Sequence, residues 1–161
     1  RALAHFEFPV QGWSRSPKAV EGVRTFHGAE GLQDFLAASR VLVNLLPLTP
    51  DTTGILRRET LSRLLPGGYV INVARGAHLV EEDLLPLLDS GHLAGATLDV
   101  FRTEPLPADH PFWIHPRVTV TPHTSARTLR AESIAQIARK IDALRQGAAS
   151  VRGEVDPSRG Y

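Results

Sequence analysis

Short apolar runs alternate with helical patterns along this chain, and that alternation limits what it can fold into. Val10 to Ser14, Val41 to Leu46, Tyr69 to Ala74, Ala94 to Val100 and Val118 to Thr121 are strand-length runs, most of them closed by proline, glycine or a charge. Between them lie helical segments. Leu32, Phe35 and Leu36 share one face after the Gly28 corner, and a short helix spans about Arg58 to Leu65. Glu81 to Ser90 opens on three acidic residues that complement the helix dipole and ends at Gly91, with Pro86 expected to kink or shorten it. Thr128 to Gln146 carries Leu129, Ile134, Ile137, Ile141 and Leu144 on one face of a long helix, and Arg1 to Phe6 reads as a helix tail. Strands separated by helices pair in parallel through right-handed crossovers, so the expected class is α/β, a doubly wound parallel sheet.

Ligands of such sheets gather beyond the carboxyl ends of the strands, and there the chain departs from an apolar pattern. Tyr69 to Ala74 runs straight into Arg75 and Gly76. A guanidinium at the mouth of a sheet is a planar fork suited to a carboxylate and an adjacent carbonyl. The other reading is an ion pair with Glu81 or Glu82. Glu104 follows one strand end and His123 another; a carboxylate paired with an imidazole fixes its tautomer and makes a proton donor. With seven histidines in the chain, such a pair taken alone is more often purely structural. Arg75, Glu104 and His123 lie on three strand-end loops that the topology brings to one edge.

Composition narrows the partners. Eighteen basic residues stand against seventeen acidic ones, net +1, without a basic run, which argues against nucleic acid or an anionic membrane and for small-molecule chemistry. No segment approaches the roughly 20 apolar residues of a membrane helix. With no cysteine there is no disulfide framework or thiolate metal site; no metal ligand set is expected, and a cytoplasmic location fits.

The runs INVARG, LDVFRTEP and VTVTPHTS, in this order and at these separations, resemble the signatures of the D-isomer-specific 2-hydroxyacid dehydrogenase family. Within it, WSR at 13 to 15, VLVNLLPLTPDTTG at 41 to 54 and the closing EVDPSRGY are most similar to bacterial NADPH-using glyoxylate/hydroxypyruvate reductases. The resemblance implies a Rossmann-like cofactor domain and a reduction of glyoxylate or hydroxypyruvate. Arg75 would bind the substrate carboxylate and carbonyl, His123 would protonate the carbonyl oxygen, and Glu104 would hold His123 charged. It also implies cofactor contacts at Leu46, Pro47, Thr52, Val73 and Ala74, with Asp99 facing the nicotinamide amide and Ser125 close by. Asp99 is equally suited to capping a turn. A dehydrogenase for another D-2-hydroxy acid and a cofactor-sensing module are the alternatives for the whole.

An NAD-selective fold ends its second strand on a carboxylate, which would repel a 2′-phosphate. Here the strand ends Ser14-Arg15-Ser16, with Lys18 nearby, so NADPH is favoured unless those cations merely solvate a loop. If the resemblance holds, the first strand, its glycine-rich loop and the substrate domain precede Arg1, and the chain holds no methionine. The absent strand is then expected between Val10 to Ser14 and Tyr69 to Ala74. Residues 1–146 read as a partial nucleotide-binding domain and 147–161 as a tail returning toward the substrate domain. These 161 residues alone are expected to bind cofactor poorly and turn over little. A homodimer is expected through the loop Arg102 to Pro116, where Phe112 and Trp113 either form a contact or cover their own core.

Overall fold

A computed structural model describes residues 2–126, 128–151 and 153–155. The elements run α1 (Ala2–His5), β1 (Gln11–Ser14), β2 (Arg24–His27), α2 (Gly28–Ala37), β3 (Val41–Asn44), α3 (Arg58–Leu61), β4 (Gly68–Asn72), α4 (Glu81–Asp89), β5 (Leu93–Leu98), β6 (Val118–Val120) and α5 (Arg130–Arg145). Two short 3-10 turns, Gly76–His78 and Pro111–Trp113, complete the list. All strand pairing is parallel, in a four-stranded sheet ordered β3-β4-β5-β6 and a separate pair β1-β2. The expected α/β class with helical crossovers is what forms.

The core lies where the sheet meets α2, α3 and α4. Leu36, Leu61, Leu64, Val70, Leu84, Leu88, Leu93, Leu98 and Phe112 are all nearly or wholly buried. Each such leucine contributes about 1.5–3 kcal/mol relative to exposure. Close strand packing explains Gly95: a Cβ there would lie 2.6 Å from Tyr69 Cε2. The Tyr69 hydroxyl reaches Thr97 Oγ1 at 3.0 Å across the same strand pair. α4 continues through Pro86 to Asp89 rather than stopping short. α2 is fixed to the β1-β2 pair by Gln11, whose Nε2 donates to Ser39 Oγ at 2.7 Å and Phe35 O at 3.2 Å, and by Trp13 Nε1, which donates to Gly28 O at 2.8 Å.

Two expectations change. β2 is absent from the sequence reading because Arg24–His27 has only Thr25 and Phe26 half-buried between two exposed charge-bearing ends. That omission displaced the neighbouring assignment. The strand at Tyr69 to Ala74 is β4, and it is flanked on both sides, by β3 and β5; the edge strand of the larger sheet is β3. A strand added at that edge would therefore neighbour β3, not the strand at Tyr69 to Ala74. The second change concerns α5. Its apolar face exists as expected, but the helix contains no buried residue, and Ile134, Ile137, Ile141 and Leu144 are 57, 57, 48 and 50% exposed. Of the tail, residues 152 and 156–161 lie outside the described residues.

Candidate active site

β4 ends at Asn72, and Val73 to Arg75 leave the sheet as its strand-end loop. A cleft of about 530 Å³ opens between that loop and Leu45 to Leu48, the corresponding loop of β3. Arg75 is exposed at its edge, and its Nη1 donates to Ala74 O at 2.7 Å. Among the described residues it forms no ion pair. Glu81 and Glu82 are engaged elsewhere: Glu81 Oε1 accepts from Arg102 N at 3.0 Å and its Oε2 lies 3.6 Å from His110 Nε2, while Glu82 pairs with Arg102 Nη1 at 3.2 Å. The ion-pair reading of Arg75 is thereby set aside.

Gly76 links this loop to the next. A Cβ at that position would lie 1.9 Å from Phe101 C and 2.0 Å from Phe101 O, so only hydrogen fits between the two backbones. Three residues on, Glu104 turns back and its Oε1 accepts from Phe101 N at 2.9 Å. Its Oε2 meets His123 Nδ1 at 2.8 Å. The bond to His123, the Phe101 N–H and the histidine's charge outweigh desolvation and Asp99, and hold the Glu104 carboxyl below its ordinary range. An ionised carboxylate only accepts, so Nδ1 carries the proton, and among the described residues Nε2 makes no hydrogen bond. His123 itself has φ 53°, in the left-handed region, a cost of about 1–3 kcal/mol that recurs at functional positions.

Asp99 supports that unusual turn. It is 1% exposed, and its oxygens accept from Thr121 Oγ1, from Thr124 N at 2.9 Å and from Ser125 N at 2.9 Å. Burial alone would raise its pKa, but the Ser125 and Thr121 side chains and the two backbone N–H groups together hold it well below the usual carboxylate range. In this structure the turn-capping reading describes Asp99: both oxygens are committed to the His123 segment, and Ser125 is one of the donors.

The residues expected to contact a cofactor divide. Leu46, Pro47, Val73 and Ala74 line the cleft with Arg75. Thr52 is half-buried, its Oγ1 donating to Pro47 O at 2.8 Å across the loop. Ser14, Arg15 and Ser16 sit apart, at the end of β1 on the smaller sheet, with Ser14 Oγ donating to Ser16 O at 2.8 Å. Three buried polar residues beneath the cleft, Asn44, Asn72 and His78, were not singled out from sequence. The one hint was an asparagine inside an apolar strand. Among the described residues no group of three or more His, Asp or Glu is arranged for a metal ion, and no helix is long and apolar enough to cross a membrane.

The family described as D-isomer specific 2-hydroxyacid dehydrogenase, NAD binding domain, matches residues 1–125. The chain belongs to this family. Over 159 residues it is 55% identical to glyoxylate/hydroxypyruvate reductase A of Serratia proteamaculans (strain 568), covering 99% of this chain and 50% of that protein. It thus spans half the length of that curated relative. A D-isomer specific 2-hydroxyacid dehydrogenase of Xanthobacter autotrophicus Py2, crystallised with NADPH and MES, superposes with TM-score 0.93 at 48% identity, over 99% of this chain and 65% of that one. The NADPH-dependent glyoxylate/hydroxypyruvate reductase of Sinorhizobium meliloti, crystallised with NADP and sulfate, does so with TM-score 0.92 at 41% identity, over 99% and 52%.

Proposed function

We propose that the protein carrying this sequence is an NADPH-dependent reductase of small 2-oxo acids, with glyoxylate and hydroxypyruvate as substrates. The observation that carries this reading is the 2.8 Å bond between the exposed His123 and Glu104, the latter on a loop packed backbone to backbone against the residue after Arg75. Arg75 binds the substrate carboxylate, its fork matching two oxygens. His123 delivers the proton on Nε2 to the carbonyl oxygen, and Glu104 stabilises the charged ring before delivery. Asp99 orients the turn that presents the ring.

The residues present fit a phosphorylated dinucleotide. Ser14-Arg15-Ser16 ends β1 with no carboxylate, and a cation with two hydroxyls is a donor set for a 2′-phosphate. Leu46, Pro47, Val73 and Ala74 would flank the cofactor, which supplies hydride when bound. Residues 1–146 serve as the nucleotide-binding part and 147–161 lead back toward the substrate domain. Trp113 and Ile114, 51 and 86% exposed, are the proposed homodimer contact, and a chain without cysteine suits the cytoplasm.

Assaying the full-length protein with glyoxylate, hydroxypyruvate, pyruvate and a bulky 2-oxo acid, each with NADPH and NADH, tests the reading. Glyoxylate and hydroxypyruvate with NADPH are expected to give the highest kcat/KM. His123→Gln is expected to lower kcat by about 10²–10⁴-fold while NADPH still binds. Undiminished turnover in that variant would remove the basis of the proposal, and a preference for another oxo acid would reassign the substrate.

A further inference from the structure

The polar groups beneath the cleft form a closed circuit. Leu46 N donates to Asn44 Oδ1 at 3.2 Å, Asn44 Nδ2 to Asn72 Oδ1 at 3.0 Å, and Asn72 Nδ2 to Arg75 O at 3.1 Å. The His78 ring then spans from Arg75 O, 3.1 Å from Nδ1, to Pro47 O, 3.2 Å from Nε2, which returns to the residue beside Leu46. Asn44, Asn72 and His78 are 4, 0 and 0% exposed. Each amide atom of the two asparagines has a partner, and a satisfied buried network resists displacement of any member because an orphaned group costs about 1–3 kcal/mol.

What His78 adds is separable from mere satisfaction. Arg75 O already accepts from Asn72 Nδ2 and from His78 N at 3.2 Å, and Pro47 O already accepts from Thr52 Oγ1. Neither carbonyl needs the imidazole. A neutral imidazole carries one ring N–H and both carbonyls only accept, so the ring donates to one of them. Since the main-chain His78 N–H already holds this residue to Arg75 O, donation from Nε2 to Pro47 O crosses a gap the sheet does not bridge: the β3-β4 ladder ends at the pair Asn44 and Asn72. Beyond it, among the described residues, no backbone hydrogen bond connects Leu45 to Leu48 with Val73 to Arg75.

We propose that His78 is a positioning residue that ties the main chain of Arg75 to Pro47, fixing the arginine that meets the substrate against the wall that meets the cofactor. This rests on the reductase reading above and deepens it. Displacing a group by about 1 Å can cost a site on the order of 10²-fold in rate, so a tie between the two loops bears on both binding and turnover.

The test uses the full-length enzyme and three variants. His78→Phe keeps a ring in the space and removes the ring donor; the expected result is a rise of about tenfold in KM for glyoxylate and a weaker NADPH affinity by fluorescence titration. His78→Asn offers an amide near the Nδ1 position only and is expected to recover neither. His78→Gln offers a donor near Nε2, within reach of Pro47 O, and is expected to recover both. In the wild type, ¹⁵N NMR of the His78 ring should show a hydrogen-bonded N–H protected from exchange. KM and NADPH affinity within about twofold of wild type in all three variants, or a His78 ring proton exchanging at solvent rate, would overturn the proposal. A wild type that reduces no 2-oxo acid refutes the function instead, and the ring proton still decides the tie. Should His78→Phe fail to fold, the Asn and Gln variants carry the comparison.

Discussion

The four-stranded sheet and the helix α5 have equally clear apolar patterns and opposite fates. In the sheet, Val70, Leu93 and Leu98 reach zero exposure against α3 and α4. On α5 the face of Ile134, Ile137, Ile141 and Leu144 is about half exposed along its whole length. Periodicity reports that a face is apolar; whether it is covered depends on what lies beside it. The same division runs through the site, where contacts of 3 Å or less lock the end of β5 to the end of β6, whereas the 2.8 Å bond from Ser14 Oγ to Ser16 O stays within one loop of a two-stranded sheet with half-buried strands.

Four substitutions would break or sharpen this contrast. Gly76→Ala should be the most damaging, because its methyl carbon has no space beside Phe101; a loss of about 4 kcal/mol by urea denaturation is expected, with activity gone. Leu84→Ala, at a wholly buried position of α4, should cost about 2–5 kcal/mol by the same measurement. Asp99→Asn leaves donors facing an amide and should cost about 2 kcal/mol near neutrality. Its pH dependence has a fixed sign. Because the native pKa of Asp99 lies below its ordinary 3.8, its contribution is complete above that value and is lost as the pH falls beneath it, so wild type and variant should converge in acid. Ile137→Ala on α5 should change the stability of this chain by less than about 0.5 kcal/mol. A cost near that of Leu84 would mean that the α5 face is covered after all, and the contrast would fail.

Sequence made the four-stranded sheet legible because its strands are apolar runs closed by breakers, Pro47 after β3 and Leu65-Pro66-Gly67 before β4. β2 carried no such signal, with exposed Arg24 and His27 at its ends, and missing it misplaced the neighbouring edge. In the site, Glu104 and His123 were readable together from strand-end position and from family resemblance, and they do meet. The supporting polar circuit was not readable. Asn44, Asn72 and His78 become neighbours through register and a turn, and a single sequence does not encode which residue of one strand end faces which of the next. Asp99 shows the converse: its position was legible, but the use of its two oxygens depends on where the chain after β6 turns.

The left-handed backbone at His123 means that a replacement there is judged twice, first by shape and then by reactivity. Asparagine adopts that conformation more readily than most side chains, so it preserves the bend while removing the imidazole. It is the control that separates a failure of architecture from a failure of chemistry, which a bulkier or β-branched substitute would confound.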